Sequence, residues 1–334
     1  MNKEGLKLDA FIVPSLLKAT RNLIDQEFGK VMHCLVLKCS FESDAFIVSS
    51  LIDMYSKFGE VENARKVFDD FAGQDLVVFN AMVSGFANNS QADEALSLVQ
   101  DMKLVGIKAD IITWNALIAG FSHMGNEEKV SETLEMMCLD GHKPDVVTWT
   151  SVISGLVHNF QYEKAFDAFK QMLAHGLYPN SATITTLLPA CTTLANVKHG
   201  KEIHGYSVVT GLEDHGFVRS ALLDMYGKCG FISEAMILFR KTPKKTTVTF
   251  NSMIFCYANH GLVSSLSRKG KDKDTFIRKG QIQPSFPHGP RGCACAGPST
   301  QLKKVVFPNF KFSLLCPCAD TSHVSIYHPD SDQI

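Results

Sequence analysis

Long apolar runs are missing from this sequence. The longest stretches without charge, such as residues 146–162, carry Thr, Ser, Asn, Gln and His, and are too polar to span a bilayer. A basic excess is missing too, since 33 Lys and Arg face 34 Asp and Glu. That balance hides a split. Residues 262–334 hold ten Lys/Arg against five Asp/Glu, which leaves 23 against 29 for residues 1–261, a body of net −6 and a tail of net +5. An acidic body argues against indiscriminate polyanion binding, which requires a basic footprint. Any nucleic-acid contact must come from locally placed groups. Cysteine pairs are absent from the body, where Cys34, Cys39, Cys138, Cys191, Cys229 and Cys256 stand singly. This reads as a reduced compartment with thiols used as small apolar residues, not as a disulfide framework. The opening "MNKEGLKLD" has no Arg and no apolar core, so no signal or transit peptide is evident. The protein then reads as cytosolic, or as lacking its leader.

What is present is repetition. Residues 76–110, 111–145 and 146–180 align at a period of 35, the mark of a repeat architecture. Their fourth positions are Phe79, Trp114 and Trp149, followed by Met82–Val83, Leu117–Ile118 and Val152–Ile153. Gly85, Gly120 and Gly155 recur, then Met102, Met137 and Met172, then Gly106, Gly141 and Gly176. Spacings of three and four mark two short amphipathic helices per unit. Trp114, Leu117, Ile118 and Phe121 share one face of the first, and Val130, Leu134 and Met137 one face of the second. Gly141 suits a helix C-cap, and Pro144 stops the chain before the next helix. One such pair cannot bury its apolar face alone, so neighbouring pairs must stack into a solenoid. The Trp and Met stripe is therefore expected in the core.

A longer pattern brackets these units. "GKVMH" at 29–33 returns as "GKEIH" at 200–204, and "LIDMYSKFG" at 51–59 as "LLDMYGKCG" at 222–230, both offset by 171 residues. The chain parses into an extension, 1–9, and an array over 10–261. Its units are 10–44, 45–75, 76–110, 111–145, 146–180, 181–215, 216–246 and a partial 247–261. Residues 262–334 follow, without register.

A 35-residue helix pair with "TWNALIAGF" and a closing "GHKPD" resembles the pentatricopeptide repeat family. The longer "PSLLKA…GKVMHCLVLK" and shorter "SSLIDMYSKFGEVENARKVFDD" units resemble its plant subclass with alternating P, L and S motifs. The likeness covers residues 10–261, about three-quarters of the chain. It implies an all-α, right-handed superhelical solenoid of stacked helix-turn-helix repeats, here with an irregular C-terminal tail. It also implies single-stranded RNA as partner, read one base per repeat by the fifth and last residues of each unit. Those pairs are Asn80 with Asp110 and Asn115 with Asp145 for uracil, Thr150 with Asn180 for adenine, and Ser49 with Asp75 for guanine. Val77, Ile112 and Val147, each second in its unit, would clamp the bases. The chemistry is reasonable: an Asn amide offers donors and an acceptor, and Thr one hydroxyl that serves either way. Readers of single-stranded RNA combine such gripping with hydrogen bonds to base edges. The plain alternative is that Asn, Ser and Thr near helix starts only cap backbone N–H groups.

Departures from the family pattern are specific. Lys near the end of the first helix, which meets phosphate, survives only as Lys57 and Lys228; Asn88, His123 and His158 stand there in the central units. Val130 and Ala109 replace the usual Ala and Pro. Pro14 has no base-reading side chain, Thr185 with His215 has no assignment, and Ser220 with Thr246 is purine-biased at best.

The subclass often ends in a cytidine-deaminase domain built on H-x-E and C-x-x-C. Neither spacing occurs: two residues separate His199 from Glu202, and "CAC" at 293–295 is too close. Such zinc and hydrolytic chemistry needs those residues, so the expectation is a non-catalytic protein with no cofactor, no metal and no small-molecule substrate. In the tail, "CAC" and "CPC" (316–318) read as unligated and "RKGKDK" (268–273) as a solvated, disordered run. The switch after "CYANHG" reads as an alternative exon or retained intron. Met253, Ile254 and Tyr257 would then form an uncovered apolar face, for which "VVFPNFKFSLL" (305–315) is a poor cover. The functional expectation is a sequence-specific RNA-binding factor in organellar RNA processing or editing. Its partners would be an organellar transcript and processing proteins, its location the mitochondrion or alternatively the chloroplast. A protein-binding helical scaffold, or a truncated product with impaired RNA binding, are the alternatives.

Overall fold

The apolar spacings close into helices that come in pairs. The computed structural model describes residues 10–194, 197–243 and 245–259. Among the described residues there are fifteen α-helices, one 3-10 turn and no strand. Helix α1 (Ile12–Leu23) pairs with α2 (Gln26–Lys38), α3 (Ala45–Lys57) with α4 (Val61–Asp70), and α5 (Leu76–Asn88) with α6 (Ala92–Leu104). Next come α7 (Ile111–His123) with α8 (Glu127–Leu139), and α9 (Val146–His158) with α10 (Tyr162–Ala174). Then α11 (Ser181–Thr193) pairs with α12 (Val197–Val209), and α13 (Gly216–Lys228) with α14 (Ile232–Lys241), before α15 (Thr247–Asn259). The turn Leu212–Asp214 follows α12. None of these helices is long and apolar enough to cross a membrane.

Five of the first helices start on a side-chain cap. Asp44, Asp75, Asp110, Asp145 and Asn180 precede α3, α5, α7, α9 and α11, and each accepts a backbone N–H of the first turn on its side chain. Such a cap contributes about 1 kcal/mol. At the other end Gly141 takes φ 86° just past α8, the left-handed conformation a glycine C-cap supplies. Pro14 lies in the first turn of α1, where the missing N–H has no intrahelical partner to lose.

Packing makes the array an all-α solenoid. The first helices form one layer, α1 against α3, α3 against α5, and so on to α13 against α15. Most second helices also touch the first helix of the next unit. Trp114, Leu117, Ile118 and Phe121 are fully buried between layers, as are Met102, Met137 and Met172, each contributing very roughly 1.5–3 kcal/mol. Phe79 and Trp149 are only half-buried. The recurring glycine permits the close approach of successive first helices. A Cβ on Gly120 would stand 2.9 Å from the Ala87 Cβ, and one on Gly155 would press directly on the Ser122 backbone.

The motif that returns after 171 residues builds one interface twice. His33 Nδ1 lies 2.9 Å from the Tyr55 hydroxyl, and His204 Nδ1 lies 2.9 Å from that of Tyr226. Their rings meet edge to face at 5.6 and 5.5 Å. Gly29 leaves room for Met54, and Gly200 for Met225. The two motifs are thus mortar between a long unit and the short unit after it.

The last helix corrects an expectation. Met253, Cys256 and Tyr257 are buried, while Val248, Ile254 and Phe255 are exposed. Helix α15 packs back on α13 and α14, so Met253 and Tyr257 face the preceding unit and need no second helix to cover them. Only Ile254 keeps the exposure expected of all three. Residues 1–9 and the tail readings ("RKGKDK", "CAC", "CPC" and the 305–315 cover) lie outside the described residues.

Candidate nucleic-acid interface

Helices α3, α5, α7 and α9 each present their second and fifth positions near the N-terminus, beside the residue that caps the next unit's first helix. Val77, Ile112 and Val147 are 44%, 59% and 54% exposed, large apolar side chains with no burial to explain them. The same register exposes Phe11, Phe46, Phe217 and Val248. In the sequence these four are marked by nothing beyond their shared second position in the unit.

The polar pairs differ in how they are joined. Asn115 Nδ2 donates to Asp145 Oδ1 at 3.3 Å, and Asn80 Nδ2 to Asp110 Oδ1 at 3.2 Å. A third residue enters both: Thr148 Oγ1 donates to Asn115 Oδ1 at 2.5 Å, and Thr113 Oγ1 to Asn80 Oδ1 at 2.5 Å. Thr150 does not reach Asn180 directly. Its hydroxyl donates to the Val146 carbonyl at 2.6 Å and lies 2.8 Å from Thr183 Oγ1, which is 3.1 Å from Asn180 Oδ1. Ser49 turns to the Phe46 carbonyl at 3.0 Å, while Asp75 takes the Val77 N–H at 2.8 Å. Two pairs are thus joined directly, one through a threonine, and one is left on separate local bonds.

Capping and pairing are not exclusive here. Asp145 caps α9 through Thr148 and still holds Asn115. Burial pushes its carboxyl up, but the Thr148 N–H and hydroxyl, the Asn115 amide and the Val147 N–H outweigh it and hold the pKa below the usual 3.8. At neutral pH the group is an acceptor only.

These bonds leave definite edges free. In the Asn115–Asp145 pair the amide oxygen is occupied, so an amide N–H and a carboxylate oxygen remain, a donor beside an acceptor. Uracil offers the complement, a carbonyl next to N3–H. In the Thr150–Asn180 pair the hydroxyl proton is committed to Val146, which leaves a lone pair beside an amide N–H. Adenine, with its amine next to N1, complements that.

Positive charge is sparse along this row. Lys57 is exposed, but Lys228 pairs with Asp224 at 2.7 Å. At the matching positions Asn88 is exposed, and the His123 and His158 rings meet edge to face at 5.1 Å. Burial, then the His158 charge, lowers the His123 pKa, so this imidazole is mostly neutral at pH 7. Among the described residues no three His, Cys, Asp or Glu side chains gather as a metal site.

The model of the PPR repeat family matches residues 74–123, 109–158 and 144–193, and that of the single PPR repeat matches 46–73, 217–245 and 248–267. Over 262 residues the chain is 88% identical to the Arabidopsis thaliana "Pentatricopeptide repeat-containing protein At5g59600", covering 78% of this chain and 49% of that protein. Over 264 residues it is 34% identical to "Pentatricopeptide repeat-containing protein At3g22150, chloroplastic" of the same plant, covering 78% and 24%. The crystal structure of the pentatricopeptide repeat protein PPR10 in complex with an 18-nt psaJ RNA element superposes with a TM-score of 0.57 at 16% identity, over 83% of this chain and 42% of that one. At that identity the likeness is one of fold. The chain spans about half, or less, of each of these relatives.

Proposed function

The chain belongs to the pentatricopeptide repeat family, and on that premise we propose that its array reads single-stranded RNA, one base per unit. The observation that carries the reading is the pair of matched edges: a donor beside an acceptor at Asn80–Asp110 and Asn115–Asp145, and the reverse at Thr150–Asn180. Ser49 and Asp75 present a hydroxyl lone pair and a carboxylate, two acceptors that suit the N1–H and amine of guanine. Val77, Ile112 and Val147 grip the bases, and Lys57 and Lys228 meet phosphate. With the array's N-terminal end toward the RNA 5′ end, the core is G-U-U-A.

The protein acts in this reading as a non-catalytic recognition factor for an organellar transcript, positioning the factors that process or edit it. The absence of H-x-E and C-x-x-C from the whole sequence supports that role. A relative whose name places it in the chloroplast supports an organellar location, mitochondrion or chloroplast. Selection of bound RNA from a random pool, followed by sequencing, tests the proposal, with G-U-U-A expected to be enriched. A flat selection by a folded array would turn the reading to a protein-binding scaffold.

A further inference from the structure

We infer that Thr113, Thr148 and Thr183, each third in its unit, are positioning residues that fix which edge of the preceding unit's reading side chain meets the base. The inference rests on the RNA-reading proposal above. Its basis is a correlation within the molecule. Where the third residue of the next helix is threonine, in α7, α9 and α11, the reading pair before it is joined. In α5 and α13 that residue is Val78 or Val218, both buried, and neither can bond a reading side chain. Ser49 and Thr185 bond carbonyls of their own helices, as Thr150 does, but have no bond to the third residue of the next helix. Thr249, in α15, closes on its own cap Thr246 at 2.8 Å.

The chemistry explains why this matters. An Asn side chain can turn over, exchanging its N–H and its C=O with little change in shape. Turned over, Asn115 would show the base an acceptor where it now shows a donor, and with the Asp145 carboxylate beside it the two acceptors would suit guanine and not uracil. Thr148 opposes this on the oxygen side. Its hydroxyl accepts the Asp145 N–H at 3.0 Å, and its one proton finds the closer acceptor in Asn115 Oδ1 at 2.5 Å, against Asp145 Oδ1 at 2.9 Å. Asp145 opposes it on the nitrogen side, across a longer 3.3 Å. Thr148 is fully buried and never touches the base, so it acts through Asn115 alone.

The experiment uses the full chain and RNA oligonucleotides containing the G-U-U-A core, with the third base varied. Thr148→Val should lower the preference for U over G at that base about tenfold, leave the other three positions as they were, and be rescued by Thr148→Ser. An unchanged U/G ratio in Thr148→Val, or an equal loss at all four positions, would overturn the inference. Val78→Thr is the gain that misfolding cannot mimic: it should sharpen the preference for G at the first base several-fold, and no sharpening counts against the idea. Side-chain amide relaxation by NMR in the free protein separates the two proposals. Asn115 should be rigid in the wild type and in Thr148→Ser, and mobile in Thr148→Val. If the wild type has no base preference, RNA reading fails, and this amide alone decides the role of Thr148.

Discussion

Asn115 accepts from Thr148 and donates to Asp145, and Thr150 supplies a template for replacing it. In Asn115→Thr the new hydroxyl would donate to the Ile111 carbonyl, as Thr150 does to Val146, and keep contact with Thr148. The base would then face a lone pair beside a carboxylate. Preference at the third base should move from U to G by about 1–2 kcal/mol, with stability changed by about half a kcal/mol. Equal loss of binding to every sequence, or a large fall in Tm, would mean that Asn115 is structural. Phe160 carries a different liability. It is 78% exposed at φ 60°, where Gly59, Gly125 and Gly230 take 78°, 72° and 90°. A left-handed residue with a Cβ costs roughly 1–2 kcal/mol, and the greater unfolded-state freedom of glycine takes back part of that. Phe160→Gly should raise the unfolding free energy by about 0.5–1 kcal/mol in urea titrations. A decrease would show that the Phe160–Tyr162 ring contact at 6.3 Å outweighs the backbone strain.

At the scale of elements, stacking depends on small residues where first helices cross. Gly155→Ala would drive a Cβ into Ser122 of α7 and should destabilise by about 1–3 kcal/mol, despite the better helix propensity of alanine. A Tm equal to the wild type would mean that α9 can shift without cost. The His–Tyr mortar brings a pH dependence. The pKa of His33 is held below the usual 6.5 by burial, partly offset by Asp70; burial also lowers that of His204, Glu213 opposing and Lys241 adding to it. The unfolded chain therefore takes up protons near pH 6.5 that the folded chain refuses, so stability rises with pH across this window. The contribution is complete above pH 6.5 and is lost as pH falls toward the lowered values. Tm should drop between pH 7 and pH 5, and a flat or rising profile would contradict it.

For the whole molecule, the charge split sets how binding responds to salt. The body is net −6 and exposes few cations along the candidate row, so RNA affinity should fall only weakly with salt. The log–log slope should correspond to roughly one to three released counterions. Deleting residues 262–334 should leave that slope unchanged. A slope several times steeper in the full chain, abolished by the deletion, would assign binding to the basic tail.

The sequence by itself determined the helices and their pairing, because a period of 35 and apolar spacings of three and four admit no other burial for Trp114, Leu117 and Met137. It also singled out the proposed reading positions, since Asn115 and Thr150 vary inside an otherwise repeated stretch. Only the tertiary structure decided how those positions are wired. Thr148 looks like an ordinary helix-start residue in the sequence, and its bond to Asn115 spans 33 residues, from one unit to the next. The same holds for α15, whose Met253 and Tyr257 lacked a visible partner in sequence yet lie buried against the unit before them. Local pattern specifies which side chains seek burial; which of them meet across a repeat boundary depends on how successive helices stack, and that is settled by packing.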